Sequence, residues 1–272
     1  MFNFDFYNPT HIVFGKDRLG ELDTLVPKDA KVLITYGGGS AVRSGLIDRI
    51  VKALGNRKVE QFGGIEPNPS LETCERAVAF IKEHGVDFVL AVGGGSVVDA
   101  TKLIVMGATY DGPVIEVMKA GVPAVPVEMV PNPLPFGTVM TLPATGSEMN
   151  NGAVITYGDG KYPVFSSLVF PKFSMLDPTL TFTLPEKQVK NGVIDTFVHT
   201  TEQYLTYPVE GRIQDRFSEG ILKTMIEIGK ETVENPENYD IRANHVWAST
   251  LALNGLIGAG VPQDWATHLI GH

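Results

Sequence analysis

A repeated tetrapeptide, Gly-Gly-Gly-Ser, carries the strongest information about the fold. It follows an apolar run twice, at Gly37–Ser40 after residues 31–36 and at Gly93–Ser96 after residues 87–92. An apolar, β-branched run predicts a buried strand, and a glycine cluster behind it predicts a sharp turn into a helix. Such a turn lets backbone N–H groups approach a ligand, and the dipole of the next helix favours phosphate. A nucleotide or dinucleotide is therefore the first ligand to consider, and an enzyme the first class.

Composition excludes several other classes. The 272 residues carry a net charge of −9, which argues against a nucleic-acid partner. The start of the chain does not resemble a signal peptide, and no apolar run is long enough to span a bilayer. A single cysteine, Cys74, rules out an intrachain disulfide framework. We therefore expect a cytoplasmic, globular protein without a membrane partner.

The order of patterns predicts an α/β half followed by a helical half. Alternating strands and helices up to about residue 185 predict a parallel sheet. The predicted strands cover residues 2–6, 11–14, 31–36, 59–62, 87–92, 124–130, 153–156, 164–169 and 173–176, and the predicted helices residues 47–54, 71–83 and 97–106. Beyond Pro185 the apolar spacing is helical, and the predicted helices are residues 186–204, 211–233 and 240–255. The sequence thus predicts two domains, residues 1–185 and 186–272.

The two glycine turns differ in their polar residues. In the second, Ser96 and Asp99 have the spacing of a capping box at a helix start. The first has no acidic side chain to bind a ribose 2′-hydroxyl, and Arg43 follows it closely. The absence of an acid and the nearby arginine favour NADP over NAD. The alternative interpretation is that Arg43 is simply a solvated helix residue.

One Asp/His pair and one His/His pair predict a metal site. Asp195 and His199 stand at i and i+4 in a helical pattern, so they share one face. His268 and His272 repeat that spacing, and Asp264 can cap their helix. A carboxylate with imidazoles suits Fe²⁺ or Zn²⁺. A surface ion pair or a buried core histidine would give the same spacing, so the residues alone leave these alternatives open.

Taken together, the motifs resemble the iron-dependent alcohol dehydrogenases, and within them the NADPH-dependent aldehyde reductase and butanol dehydrogenase branch. The resemblance extends over the whole chain, through residues 8–10, 14–15, 37–40, 66–69, 93–102, 142–148, 176–178, 195–203 and 260–272. It implies a Rossmann-like, dinucleotide-binding α/β domain and an all-α domain of the dehydroquinate synthase-like kind, with the active site in the cleft between them.

The resemblance also assigns site residues. It implies that the adenosine end of NADP(H) binds Gly38, Gly39 and Ser40, and the pyrophosphate Gly94, Gly95 and Ser96, with Asp99 near the nicotinamide. The further cofactor-lining residues that it implies are Thr138, Thr141, Leu142, Thr145, Lys161, Leu180 and Thr181. It makes Asp195, His199 and His268 three of four metal ligands, and places His272 nearer the substrate, where it could relay a proton.

The end of the chain carries a separate expectation. The last helical pattern, residues 264–272, runs out without a Gly, Asn or Pro stop signal. The fourth metal ligand of the resembled family is a histidine beyond His272. We therefore expect the chain to be truncated and its helical domain to be incomplete.

The expected function is hydride transfer between NADP(H) and an aldehyde or primary alcohol. The alternatives are a glycerol-dehydrogenase-like or dehydroquinate-synthase-like enzyme, or a nucleotide-binding fragment without catalysis. Phe2, Phe4 and Phe6 alternate with polar residues, which predicts an edge strand and a homodimer formed partly by strand addition.

Overall fold

Six parallel strands form the central sheet of the computed structural model, which describes residues 1–120 and 129–271. The strands, in chain order, are β1 (His11–Phe14), β2 (Lys31–Tyr36), β3 (Lys58–Phe62), β4 (Phe88–Gly93), β5 (Phe136–Met140) and β8 (Phe173–Leu176). They lie side by side in the order β1-β8-β5-β4-β2-β3. Every residue of β4, β5 and β8 is buried, as expected of a parallel sheet covered on both faces.

The strand order creates a switch point between β2 and β4. From β2 the chain continues to β3 on one side, and from β4 it continues to β5 on the other. The two strands are direct neighbours, with Tyr36 paired to Val92. In open α/β sheets, ligands bind outside the carboxyl ends of strands at such a point. Both Gly-Gly-Gly-Ser turns leave the sheet here.

A second, antiparallel sheet stands apart from the parallel one. It pairs β6 (Gly152–Tyr157) with β7 (Gly160–Phe165) across the turn at Gly158, whose φ is 57°. The strand predicted at residues 153–156 is confirmed, and the one predicted at 164–169 lies earlier, at Gly160–Phe165; both belong to this hairpin and not to the parallel sheet. Only a short loop joins these two segments, and a short loop produces an antiparallel hairpin, whereas parallel pairing needs a crossover.

Two other predicted strands have different outcomes. Most of residues 124–130 lies outside the described residues, and Met129 and Val130 form a turn and a bend. Residues 1–10 form no strand, so the prediction for residues 2–6 is wrong. The backbone N–H of Phe2 instead donates to the carbonyl of Gly260 at 2.8 Å, and the Phe4 ring lies against that glycine. The homodimer stays a prediction, without the strand that motivated it.

Ten helices accompany the strands within the described residues. The bounds are α1 (Leu22–Leu25), α2 (Ser40–Arg43), α3 (Leu46–Leu54), α4 (Leu71–His84), α5 (Gly95–Thr109), α6 (Val114–Ala120), α7 (Glu186–Tyr204), α8 (Arg212–Glu234), α9 (Tyr239–Ala252) and α10 (Ala266–Gly271). Short 3₁₀ turns cover Leu19–Glu21, Ser147–Met149 and Pro178–Thr181. None of the helices in the part of the chain that the structure describes is long and apolar enough to cross a membrane.

The chain divides into two compact units. The α/β unit comprises residues 10–141 and 151–176, and its core packs α4 and α5 on the sheet. The helical unit comprises residues 1–9, 142–150 and 177–272. The predicted succession of an α/β part and a helical part is confirmed, and the domain boundary at residue 185 stays a prediction.

The helical unit buries polar side chains beside its apolar core. Ile221, Met225 and Ile228 of α8 pack with Ala248 of α9. Nearer the start of α9, Arg242 and His245 are both fully buried. Neither ring nitrogen of His245 has a hydrogen-bond partner within the described residues. Burial, together with the charge of Arg242, lowers the pKa of His245 from 6.5 to about 4.

This burial predicts a pH-dependent stability. The unfolded chain takes up a proton at His245 as the pH falls below 6.5, whereas the folded chain does so only near pH 4. The free energy of unfolding should therefore be largest above pH 6.5 and fall between pH 6.5 and 4, by up to about 1.4 kcal/mol per pH unit for one proton.

Urea unfolding followed by tryptophan fluorescence tests this, because both tryptophans, Trp247 and Trp265, lie in the helical unit. The variant His245→Gln should lose the contribution of one proton to the slope. An identical pH dependence in the variant and the wild type would contradict the prediction.

Candidate functional site

Three side chains that could bind a metal ion converge in the helical unit. Asp195 and His199 lie one turn apart on α7, and His268 comes from α10. One potential ligand atom from each lies within 4.8 Å of those of the other two. The helical spacing accounts for the first two, because residues at i and i+4 share one face. His268 reaches them from more than sixty residues farther along the chain.

The distances among these atoms suit a shared cation. The Nδ1 atom of His199 lies 3.7 Å from one carboxylate oxygen of Asp195, and the Nε2 atom of His268 lies 3.5 Å from the other. Two ligands that are each bonded at about 2.1 Å to a tetrahedral metal lie about 3.4 Å apart. The two imidazole rings stack with their centroids 4.3 Å apart.

The electrostatic surroundings also suit a metal. Burial lowers the pKa of His199 to about 4, so its imidazole is neutral near pH 7 and can offer a lone pair. Its Nδ1 atom is buried and has no hydrogen-bond partner among the described residues. Hydrogen bonds to Asp195 and then to Glu202 raise the pKa of His268, as expected where acceptors surround an imidazole. A carboxylate and two imidazoles, one of which has an unpartnered buried nitrogen, fit a divalent cation.

Glu202 is a member of this cluster that the sequence analysis missed. Its buried carboxylate contacts the Nδ1 atom of His268 and accepts the backbone N–H of the same residue at 3.1 Å. The carbonyl of Glu202 accepts the N–H of Asp264 at 2.9 Å, so this residue holds the entry to α10. The spacing of Asp195, His199 and Glu202, at i, i+4 and i+7, was the signal that could have revealed it.

The contact with Glu202 orients the ring of His268. A carboxylate only accepts, so the Nδ1 atom of His268 carries a proton towards Glu202, and a bound cation would replace the proton on the Nε2 atom that faces Asp195. Histidines that bind metals commonly donate their other N–H to a carboxylate in this way.

The first glycine turn is open and uncharged. Gly39 has a φ of 92° and precedes α2, and its N–H donates to the carbonyl of Gly37 at 2.8 Å. A Cβ atom on Gly38 would meet nothing within 4 Å. The Arg43 guanidinium folds back over the turn and donates to the carbonyl of Gly38 at 3.3 Å.

The second glycine turn begins α5 at Gly95, with Gly94 as the N-cap residue. The predicted capping box is wrong, because no side chain caps this helix. The Ser96 hydroxyl accepts the N–H of Asn68 at 3.2 Å, and the Asp99 carboxylate accepts the N–H of Val154 at 2.9 Å. Starting the helix one residue before Ser96 releases both side chains for these longer-range bonds.

The remaining predicted cofactor residues fall into both units. In the α/β unit, the buried Thr138 hydroxyl donates to Ser174 at 2.8 Å, and the N–H of Thr141 donates to the carbonyl of Gly93 at 3.0 Å. Lys161, on β7, donates to the side chain of Asn68 at 2.9 Å. The helical unit contains Leu142, Thr145, Leu180 and Thr181, of which Thr181 is fully buried. His272 lies outside the described residues.

Comparisons with known proteins agree with this architecture. Residues 9–178 match the model of the iron-containing alcohol dehydrogenases, and residues 189–272 match that of the C-terminal domain of the Fe-containing alcohol dehydrogenase family. The chain is 53% identical to the NADPH-dependent aldehyde reductase YqhD of Escherichia coli over its whole length, which covers 70% of that protein. It is 44% identical to the probable NADH-dependent butanol dehydrogenase 1 of Bacillus subtilis, with the same coverage.

Solved structures show the same fold. The crystal structure of Escherichia coli YqhD superposes with a TM-score of 0.95 at 52% identity, covering all of this chain and 69% of that one. NADH-dependent butanol dehydrogenase A of Thermotoga maritima superposes with a TM-score of 0.91 at 36% identity, covering 99% of this chain and 68% of that one. The chain belongs to the iron-containing alcohol dehydrogenase family, and the resemblance inferred from its motifs is confirmed.

The contacts of Glu202 predict its effect on metal affinity. Glu202→Gln keeps the size of the side chain but weakens its hold on His268, and losing such a partner typically costs about 10–100-fold in metal affinity. Competition with a chromogenic chelator, using Zn²⁺ and Co²⁺, measures this affinity. The exposed Glu227 of α8 provides a matched control as Glu227→Gln, which should bind like the wild type. Equal affinities in all three proteins would contradict the role of Glu202.

Proposed function

We propose that this protein transfers a hydride between NADP(H) and an aldehyde or primary alcohol at a divalent metal, Fe²⁺ or Zn²⁺. The observation that carries the proposal is the convergence of Asp195, His199 and His268 within a chain of this family. The relatives' names support the substrate class, because they describe an aldehyde reductase and a butanol dehydrogenase.

The metal would be held by the Asp195 carboxylate and the imidazoles of His199 and His268. When bound, such an ion acts as a Lewis acid on a carbonyl or alkoxide oxygen. The Asp195 carboxylate supplies charge, and Glu202 keeps the Nε2 atom of His268 pointed at the same place. We assign to His272 the transfer of a proton to the product oxygen.

The glycine turns would hold the dinucleotide. The N–H groups at Gly94, Gly95 and Ser96 stand at the start of α5, a 15-residue helix whose dipole favours a pyrophosphate. Asp99 lies one turn into the same helix. We place the adenosine end at Gly38, Gly39 and Ser40. The same proposal includes further residues that would line the cofactor, namely Thr138, Thr141, Leu142, Thr145, Lys161, Leu180 and Thr181.

The preference for NADP(H) rests on charge at the first turn. The relatives do not decide it, because the 53% identical protein is NADPH-dependent by name and the 44% identical one NADH-dependent. Gly38, Gly39 and Ser40 bring no negative charge to the turn, and the Arg43 guanidinium lies beside the carbonyl of Gly38. A cation without an opposing carboxylate favours a 2′-phosphate.

A charge placed in the first turn tests this preference. Gly38→Asp has open space for its side chain, whereas Gly39→Asp would be strained by a φ of 92° and by the nearby Arg43. Gly38→Asp should weaken NADPH binding about tenfold or more relative to NADH, which corresponds to about 1.4 kcal/mol. Fluorescence titration with each cofactor measures the two dissociation constants.

The exposed Gly220 of α8, changed to Asp, supplies the same charge away from the turn as a control. Equal affinity for NADH and NADPH in the wild type, or an unchanged ratio in Gly38→Asp, would exclude this basis for cofactor preference.

Removing the Asp195 carboxylate tests the metal centre. Asp195→Ala should abolish stoichiometric metal binding and NADPH-dependent reduction of butanal, because only two imidazoles remain to hold the cation. NADPH affinity should stay within about twofold, since Asp195 is not among the proposed dinucleotide ligands. Equilibrium dialysis, turnover and fluorescence titration give the three readouts, with Glu227→Ala as the control.

Metal-independent butanal reduction that survives in Asp195→Ala would overturn the proposed chemistry. Dinucleotide binding by the wild type without any turnover or metal binding would instead identify a nucleotide-binding protein without catalysis.

A further inference from the structure

The loop of residues 64–70, which we term the bridging loop, contacts both glycine turns. The N–H of Gly64 donates to the carbonyl of Gly37 at 3.1 Å, so the start of the loop is bound to the first turn. The N–H of Asn68 donates to the Ser96 hydroxyl at 3.2 Å, so its middle is bound to the second turn. The geometry of the two turns is therefore coupled through a single segment.

Asn68 also connects the bridging loop to the β6–β7 hairpin. Its carbonyl accepts the Thr156 hydroxyl at 3.1 Å, and its side-chain oxygen accepts the Lys161 ammonium at 2.9 Å. The residue has a φ of 56°, in the left-handed region that residues other than glycine adopt at a cost, although the cost is smaller for asparagine than for most. Surrounding contacts must hold this conformation for Asn68 to reach all of its partners.

Glu66 binds the end of the same loop. One carboxylate oxygen accepts the N–H of Ser70 at 2.9 Å and its hydroxyl at 2.6 Å. The Thr73 hydroxyl lies 3.0 and 2.9 Å from the two oxygens. Burial alone would raise the pKa of Glu66, but the bonds from Ser70 and Thr73 outweigh it and lower the pKa to about 2. The side chain thus stays ionised and ties the bridging loop to the first turn of α4.

We infer that Glu66 is a positioning residue for the dinucleotide. Its carboxylate fixes the bridging loop, the loop holds Asn68 in the left-handed conformation, and Asn68 holds Lys161 and Ser96 in place for the phosphates. The inference rests on the proposed function, because it takes Lys161 and Ser96 to contact the cofactor. Glu66 itself touches no reacting atom. Ordering a flexible loop on binding costs free energy. A loop that is already ordered in the free protein avoids this cost, so the dinucleotide binds more tightly.

Substitution of Glu66 in the full chain tests the inference. Glu66→Gln should raise the dissociation constant for NADPH about tenfold and Glu66→Ala should raise it further, because a freed loop must be ordered again on binding. Turnover at saturating NADPH and Zn²⁺ affinity should stay within about twofold, since neither the metal ligands nor the hydride-transfer geometry changes. The exposed Glu75 of α4, changed to Gln, removes the same charge without touching the loop and should behave like the wild type.

A double-mutant cycle with Lys161→Met separates positioning from a general effect on stability. If Glu66 acts through Asn68 and Lys161, then Glu66→Gln should cost little additional NADPH affinity once Lys161 is replaced. Fully additive effects, or unchanged NADPH affinity in both Glu66 variants together with a lower melting temperature, would overturn the inference and leave Glu66 a structural residue. A wild-type chain that binds neither NADPH nor NADH would overturn the proposed function, and the inference with it.

Discussion

Pairing of β2 with β4 is the constraint on which the α/β unit depends. These neighbouring strands send the chain to opposite sides of the sheet, so their carboxyl ends form the switch point. Glycine is required where they leave: a Cβ atom on Gly93 would come within 2.6 Å of the Val97 side chain. This close approach permits the turn directly before α5, which begins at Gly95. The absence of a Cβ atom at Gly93 therefore serves both the packing of the turn and the phosphate binding that we propose for it.

The candidate metal site of the helical unit combines residues of one helix with a residue that is distant in sequence. The local part follows from helix geometry, because Asp195, His199 and Glu202 fall on one face of α7. The distant part needs α10, whose N-terminal residues are held by Glu202 and whose His268 ring is oriented by the same carboxylate. The buried carboxylate of Glu202 thus fixes both the position of α10 and the orientation of the His268 ring.

Sequence patterns predicted the features that depend on local chemistry. The helix at residues 186–204 was predicted with the bounds that the structure shows, because its apolar spacing is regular and a proline precedes it. The β2 and β4 strands and their glycine turns were found for the same kind of reason. Patterns that depend on tertiary contacts were less informative. The alternation of Phe2, Phe4 and Phe6 suggested a strand, but that segment lies against Gly260 instead.

The candidate site shows the same division. The i, i+4 spacing of Asp195 and His199 fits a metal site and an ion pair equally well. The structure favours the metal site because it places His268 beside them. Ser96 and Asp99 matched a local capping pattern, but their side chains bond to Asn68 and Val154, which are distant in sequence. Glu66 and Asn68 belong to residues 66–69, one of the stretches on which the family resemblance rests. The sequence does not show what their side chains contact, whereas the folded loop does. Local rules therefore locate the site, whereas its supporting contacts follow from the tertiary structure.

X-ray absorption spectroscopy of the chain loaded with one equivalent of Fe²⁺ or Zn²⁺ tests the central claim most directly. Binding by Asp195, His199 and His268 predicts a first shell of nitrogen and oxygen at about 2.0–2.2 Å. It also predicts outer-shell scattering from two imidazole rings, lost in part when either histidine is replaced by alanine. A shell of oxygen atoms without imidazole scattering, unchanged in these variants, would contradict the account.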